Sequence, residues 1–103
     1  MLLIQTTTPT RDEALRIARG LVEQHLVACA QLSDIESVYL WDDQLQQEPE
    51  CRLLLKTSAD KWPEVERFIR ERHSHEVPAI FALPVTQASQ AYGAWVHEST
   101  RAS

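Results

Sequence analysis

The chain has 103 residues, of which 44% are hydrophobic and 24% charged, and this composition fits one soluble domain spanning residues 1–103. The net charge is −5 and the ten basic residues are scattered, which argues against nucleic acid or an anionic membrane as partner. No apolar run is long enough to cross a bilayer, and the apolar start Met1–Ile4 lacks a charged leader. These features predict a cytoplasmic protein.

The first part of the chain predicts a strand followed by a helix. Leu2–Thr8 is apolar and then threonine-rich, which is typical of a strand, and Pro9 ends it. Thr10–Glu13 matches the capping-box pattern, with a hydroxyl at the cap and a carboxylate three residues later, so we expect a helix over about residues 11–26. Helical spacing predicts that its buried stripe consists of Leu15, Ala18, Leu21, Val22 and Leu26.

The middle of the chain predicts a long hairpin. Residues 28–41 favour extended structure with a bend or bulge at Ser33-Asp34, and Asp42–Gln44 carries the turn signal. The returning strand ends at Thr57, and Pro49 places its outer part at an edge or a bulge.

The two cysteines are predicted to be free thiols. In the hairpin register Cys29 faces the region of Lys56, and Cys51 lies roughly 15–20 Å further along at ~3.3 Å per residue. Cys29 is a candidate thiol ligand for copper, which threefold symmetry could gather from several chains, or a small apolar residue that fills a strand.

The last part of the chain predicts a helix, a strand and a second helix. The first helix begins near Ser58 or Asp60 with Pro63 in its first turn. Its apolar face consists of Trp62, Val65, Phe68 and Ile69. A strand over residues 80–85 and a helix over about residues 89–98 follow. The order predicts an α+β fold, a ferredoxin-like βαββαβ sandwich with a long β2–β3 hairpin and a C-terminal helix. Its first and third strands should be central, with both long helices on one face.

Three apolar runs indicate that both faces of this sheet need burial. Leu2–Ile4, Leu53–Leu55 and Ile80-Phe81 are continuous, so their side chains alternate between the faces. Two helices cover one face, and an apolar second face is more than soluble monomers normally expose. We therefore expect a symmetric oligomer that packs through the sheet, with the hairpin of residues 35–55 available to add strands across subunits.

His73, His75 and Glu76 are the candidate metal ligands. Imidazole and carboxylate suit borderline divalent metals, and the two histidines share one side of an extended backbone. The alternative is that a histidine at a helix end satisfies carbonyl groups and complements the helix dipole.

Lys56 and three aromatic residues form a second candidate set. Lys56 is either a strand-end lysine that reaches solvent or an anchor for an anion, paired with Glu76. Trp41, Tyr92 and Trp95 are either core and interface residues or the lining of a ligand pocket.

No catalytic motif is present. The chain has two glycines, and it contains neither a glycine-rich phosphate loop nor G-x-S-x-G nor H-E-x-x-H. Residues 6–11, where acylphosphatases of this topology hold phosphate, contain no glycine. We predict that the protein is not an enzyme and has no organic cofactor.

The chain resembles the CutA family of divalent-cation tolerance proteins. The matching segments are Thr8-Pro9, Leu26–Ala30, Ser37–Trp41, Leu53–Thr57, His73, Glu76–Pro78, Ala82–Val85 and Tyr92–Val96. The resemblance implies a ferredoxin-like subunit in an intertwined homotrimer and an association with tolerance of copper or other divalent cations.

The chain also departs from the family pattern. Ser74 and His75 replace a Pro-Tyr pair, Ala79 replaces a glutamate, and Gln31 replaces an asparagine. Where some relatives carry a cysteine and a His-His pair implicated in copper binding, this chain has Thr6, Arg72 and His73.

We therefore predict a homotrimer that weakly binds copper or another divalent metal through His73, His75 and Glu76. The alternative is a trimeric signalling or scaffold module. It would bind a small anionic ligand or a partner protein in clefts between subunits, lined by Trp41, Lys56, Glu76, Tyr92 and Trp95.

Overall fold

The computed structural model describes residues 1–101 and contains four strands and three α-helices in that range. The strands are β1 (Leu2–Thr8), β2 (Cys29–Trp41), β3 (Gln44–Thr57) and β4 (Ile80–Pro84). The helices are α1 (Arg11–Glu23), α2 (Trp62–Arg72) and α3 (Gln90–Ser99). A short 3₁₀ turn, Ala59–Lys61, precedes α2.

The sheet has the order β2-β3-β1-β4, and all neighbouring strands are antiparallel. This order has β1 and β3 in the centre, as predicted, and it is the βαββαβ topology of ferredoxin-like folds. The core lies between one face of the sheet and helices α1 and α2, and it includes Ile4, Leu53, Leu55, Val65 and Ile69, all 0% exposed.

Helix α1 begins where the sequence predicts and ends earlier. The Thr10 hydroxyl accepts a hydrogen bond from the Glu13 N–H at 3.2 Å, which confirms the helix start. The helix ends at Glu23, three residues before the predicted end, and His25 then takes a left-handed conformation with φ of 59°.

The predicted buried stripe of α1 is partly wrong. Ala18, Leu21 and Leu26 are buried, but Leu15 and Val22 are 38% and 41% exposed. The buried side of the helix instead includes Glu13, Ala14 and Ile17. The helix is therefore rotated about its axis relative to the prediction.

The β2–β3 hairpin is unbroken from the Cys29–Lys56 pair to the Trp41–Gln44 pair. Asp42 and Asp43 have φ of 52° and 60°, the positive values that a two-residue type I′ turn requires. The continuous register shows that the predicted bend or bulge at Ser33-Asp34 is wrong. Within β3, only residues 51–57 pair with β1. Pro49 lies before this segment, so its side of β3 is a free edge, as predicted.

The sheet surface opposite α1 and α2 is here named the open face. It is formed by alternate residues of the four strands: Leu3, Gln5, Thr7, Cys29, Gln31, Ser33, Arg52, Leu54, Lys56, Phe81 and Leu83. The hairpin extends this face and exposes further apolar side chains, with Trp41 on this face 59% exposed and Leu45 on its other face 71% exposed. Phe81 and Leu83 are 43% and 49% exposed. A single chain thus leaves apolar strand surface uncovered, as the sequence predicts.

Candidate functional site

His73 lies where α2 ends, and its side chain is fully buried. Its Nε2 is 2.7 Å from the Thr7 carbonyl oxygen, and its Nδ1 is 2.9 Å from the backbone nitrogen of His75. A carbonyl oxygen only accepts and an amide N–H only donates, so Nε2 carries the proton and Nδ1 accepts. Both ring nitrogens of His73 are therefore occupied by the protein itself.

Glu13, which the sequence pattern assigned only to helix capping, also contacts Ser74 and His73. Its side chain is 8% exposed, its Oε2 accepts a hydrogen bond from the Ser74 N–H at 2.9 Å, and the same oxygen is 3.7 Å from His73 Nδ1. Burial raises the pKa of the Glu13 carboxyl, but the hydrogen bonds from Ser74 together with His73 and Arg16 outweigh it and hold that pKa below its usual value. The buried carboxylate thus ties the start of the loop after α2 to helix α1.

This loop forms one wall of a groove at the outer end of the sheet. The groove has a volume of about 600 Å³, within the size range of small-molecule sites. Its other walls are the end of β1 and the hairpin. The lining residues are Thr7, Tyr39, Trp41, Gln46, Glu50, Ser74, His75, Glu76, Val77 and Ala79.

The ionisable side chains that line the groove are carboxylates, one imidazole and one phenol. Glu50 and Glu76 supply carboxylates, His75 supplies an imidazole, and no Lys or Arg lies among the lining residues. The Glu48 carboxylate, a diagonal neighbour of Tyr39 across the hairpin, accepts the phenol's hydrogen bond and raises the pKa of Tyr39. The groove therefore favours a cation over an anion.

The single chain does not assemble the predicted ligand set of His73, His75 and Glu76. His75 and Glu76 line the groove, but His73 has no free nitrogen lone pair. Across residues 1–101 no group of three or more His, Cys, Asp or Glu side chains is arranged to hold a metal ion. His73 is instead a positioning residue, because its bonds fix the backbone on which His75 sits.

The five predicted cleft residues also do not line one cavity in one chain. Trp41 and Glu76 line the groove, whereas Lys56 pairs with Cys29 at the opposite end of β2. The ends of β2, Cys29 and Trp41, are twelve positions apart, about 40 Å of extended strand at ~3.3 Å per residue.

At that opposite end the other predicted cleft residues gather. Lys56 donates a hydrogen bond to Gln31, and the rings of Tyr92 and Trp95 lie 5.8 Å apart. Burial and the nearby Cys29 raise the pKa of Tyr92. A cleft that contains both groups of residues therefore requires two subunits.

The cysteines are free, as predicted. Cys29 faces Lys56 and Cys51 faces Asp34, five positions further along β2. Burial raises the pKa of the Cys51 thiol, so this thiol is protonated and inert at neutral pH.

Residues 1–101 contain no helix that is both long and apolar enough to cross a membrane.

Fold and groove together define a small α+β protein of ferredoxin-like topology with a cation-favouring groove beside a protruding hairpin. A family model described as CutA1 divalent ion tolerance protein matches residues 2–99. The divalent-cation tolerance protein CutA of Pyrococcus horikoshii is 32% identical over 101 residues, covering 98% of this chain and 99% of that protein. The chain belongs to the CutA1 family of divalent ion tolerance proteins.

Solved structures agree with this assignment. The crystal structure of CutA1 from Pyrococcus horikoshii matches with a TM-score of 0.95 at 30% identity, covering 99% of this chain and 100% of that chain. The PII-like protein CutA from Nostoc sp. PCC 7120, in apo form, matches with a TM-score of 0.92 at 31% identity, covering 98% of each chain.

Proposed function

We propose that the protein is a homotrimeric, non-enzymatic CutA that binds a divalent metal, copper included, weakly through His75 and Glu76. The observation that carries this proposal is the lining of the groove, which combines an imidazole and two carboxylates with no basic side chain. Nitrogen and oxygen donors of this kind suit copper(II) and zinc. The names of the relatives, which refer to tolerance of divalent cations, support the same reading.

Two donors from one chain are too few for a tight site. Structural metal sites usually have three or four protein ligands, and His73 is committed to structural hydrogen bonds. We therefore expect water or a neighbouring subunit to complete the coordination. Because an imidazole must lose its proton to bind metal, the affinity should fall as the pH is lowered.

The homotrimer is supported by the uncovered apolar surface. Leu40, Trp41 and Leu45 at the hairpin end are 59–71% exposed, and Phe81 and Leu83 on the open face are 43% and 49% exposed. Exposed apolar patches of this kind, one at the hairpin tip and one on β4, mark interaction sites. Cyclic packing of three sheets would cover them and bring one subunit's hairpin toward another subunit's sheet.

The test of the metal site is calorimetric titration with copper(II) and zinc. A His75→Ala/Glu76→Ala variant should lose the binding isotherm and keep the solution mass of the wild type. The matched control is His97→Ala/Glu98→Ala, because it removes the same dipeptide from the exposed surface of α3. Equal titration curves for both double variants would contradict a metal site in the groove.

A small-ligand module remains the second candidate, and one observation favours it. The groove has the volume of a ligand pocket and contains two aromatic rings, Tyr39 and Trp41. An anionic ligand would need a cation from a neighbouring subunit, and Lys56 is the candidate. Under this function Lys56→Ala should abolish a metabolite-induced rise in melting temperature without affecting metal titration. A metabolite screen with no stabilising compound would remove this candidate.

We also propose a cytoplasmic location. Both thiols are free, which fits a reducing compartment. Cell fractionation with an antibody against the protein tests this location.

A further inference from the structure

The open face carries an unpaired cation at its centre. Arg52 lies on β3 between Thr7 on β1 and Ser33 on β2. Its Nε is buried without a hydrogen-bond acceptor, and its guanidinium makes no ion pair within residues 1–101. A desolvated charged N–H without an acceptor is unfavourable, so an acceptor from outside the chain would stabilise it.

On the open face and its hairpin extension, positive and negative side chains are segregated along β3. Glu48 and Glu50 lie toward the hairpin, and Arg52 and Lys56 lie toward the core of the subunit. Residues 34–50 contain six acidic and no basic side chains, whereas the whole chain contains fifteen acidic and ten basic ones. The hairpin is therefore strongly negative, and the core part of the open face carries only positive charges.

Glu50 is the carboxylate that is free to pair. Glu48 accepts a hydrogen bond from Tyr39, whereas Glu50 makes no hydrogen bond or ion pair with the rest of the described chain. Glu50 and Arg52 are two residues apart on one face of β3, yet they do not pair within the chain. Each therefore offers an unused partner to a second copy, and pairing of Glu50 would leave His75 and Glu76 as the metal donors proposed for the groove.

We infer that Arg52 of each subunit pairs with Glu50 of the partner subunit when the open faces pack head to tail. This inference rests on the homotrimer proposed above and adds the residues that fix its register. A heterologous contact of this kind closes into a ring when the rotation between subunits allows it. A guanidinium and a carboxylate also form a directional, bidentate pair. The same packing would also bury Phe81 and Leu83, which are 43% and 49% exposed on this face.

Charge reversal tests the pair through subunit exchange, measured by mass spectrometry after mixing labelled and unlabelled protein. Arg52→Glu and Glu50→Arg should each accelerate exchange about 30-fold or more, since losing one partner of a buried charge pair acts mainly on dissociation. The matched controls are Arg19→Glu on α1 and Glu64→Arg on α2, which make the same charge changes on exposed helix surfaces. Both controls should exchange like the wild type.

Mixing the two single variants separates pairing between subunits from pairing within one. In a mixed trimer of Arg52→Glu and Glu50→Arg chains, two of the three contacts regain opposite charges, whereas every contact in a homotrimer is repulsive. Mixed trimers should therefore exceed the roughly three quarters expected for random association of equal amounts. Random proportions would overturn the inference. If Arg52→Glu does not fold, Arg52→Gln with the same exchange assay replaces it.

Two further results would overturn the inferred Arg52–Glu50 pair but would leave the proposed homotrimer intact. In one, subunits of the Arg52→Glu variant exchange no faster than those of the Arg19→Glu control. In the other, inorganic phosphate stabilises the wild type but not the Arg52→Glu variant, and the variant exchanges subunits at the wild-type rate. Arg52 would then be a site for a small anion. A wild-type particle of 11.8 kDa in light scattering would instead remove the proposed homotrimer itself.

Discussion

Replacing Glu13 should loosen the loop that carries His75 and Glu76. Glu13 sits in the first turn of α1, and its buried carboxylate accepts the Ser74 N–H at 2.9 Å. Glu13→Ala leaves that N–H without an acceptor and removes the carboxylate beside His73. Glu13→Gln keeps an oxygen acceptor but removes the charge.

The expected loss of folding stability follows from the Glu13–Ser74 hydrogen bond and its burial. A hydrogen bond to a charged group contributes about 1.5–3 kcal/mol, and an unsatisfied buried donor costs about 1–3 kcal/mol. Glu13→Ala should therefore lower the free energy of unfolding by about 2–3 kcal/mol, and Glu13→Gln should lower it by about 1 kcal/mol.

The same carboxylate sets a pH dependence with a definite sign. Because the folded pKa of Glu13 is below its usual value, its contribution is fully present above the unfolded pKa of about 4.3. The contribution is lost as the pH falls through the lowered folded pKa. Glu13→Gln should therefore lose less stability than the wild type in this acid range.

Urea unfolding at a fixed protein concentration measures the stability, and amide hydrogen exchange at Ser74 measures the loop. The matched control is Glu23→Ala at the other end of α1, an exposed carboxylate 3.9 Å from Arg19, which should change stability by less than about 0.5 kcal/mol. Equal stability losses for Glu13→Ala and Glu23→Ala, with unchanged exchange at Ser74, would refute the reasoning.

Two further predictions concern the two helix glycines and a buried hydroxyl, and chemical denaturation at one protein concentration checks all three variants. A Cβ at Gly20 would lie 2.6 Å from Cζ of the buried Phe68 ring, so Gly20→Ala should destabilise by about 1 kcal/mol despite the better helix propensity. Gly93→Ala in α3 meets nothing within 4 Å and should stabilise by up to about 1 kcal/mol, and equal signs for the two glycines would contradict this. Thr57→Val should destabilise by about 1–2 kcal/mol, because the buried Thr57 hydroxyl donates to the Leu26 carbonyl at 2.6 Å. A stability equal to that of the wild type would exclude a contribution from that bond.

Local patterns were sufficient to predict the strands and the register of the β2–β3 hairpin. A single turn at Asp42-Asp43 fixes the pairing of both hairpin strands, so the predicted Cys29–Lys56 neighbourhood is confirmed. Ser33-Asp34 predicted a bend because both residues are common in turns, but side chains alternate along the strand and the pair fits the pleat. Polar residues in a strand are therefore a weak signal for a bulge.

Helix rotation was harder to predict than helix position. Leu15 and Val22 are apolar and fit a helical period, but they lie on the flank of α1 and are more than a third exposed. Exposed leucines are common on protein surfaces, so hydrophobicity alone cannot separate flank from centre. The buried acid Glu13 also falls on the inner side, and its reason for burial is a loop about sixty residues away.

Long-range contacts decide the roles of the two histidines, and the local sequence does not contain those contacts. His73 and His75 look equivalent as ligands, since both are imidazoles beside a carboxylate. The structure separates them because β1 brings the Thr7 carbonyl to Nε2 of His73, 66 residues away in the chain. The buried ring then holds the His75 backbone, while the His75 side chain lines the groove. A single buried histidine can therefore position a loop without offering a free ligand atom, and under the proposed function replacement of the exposed His75 should change metal affinity without loss of the fold.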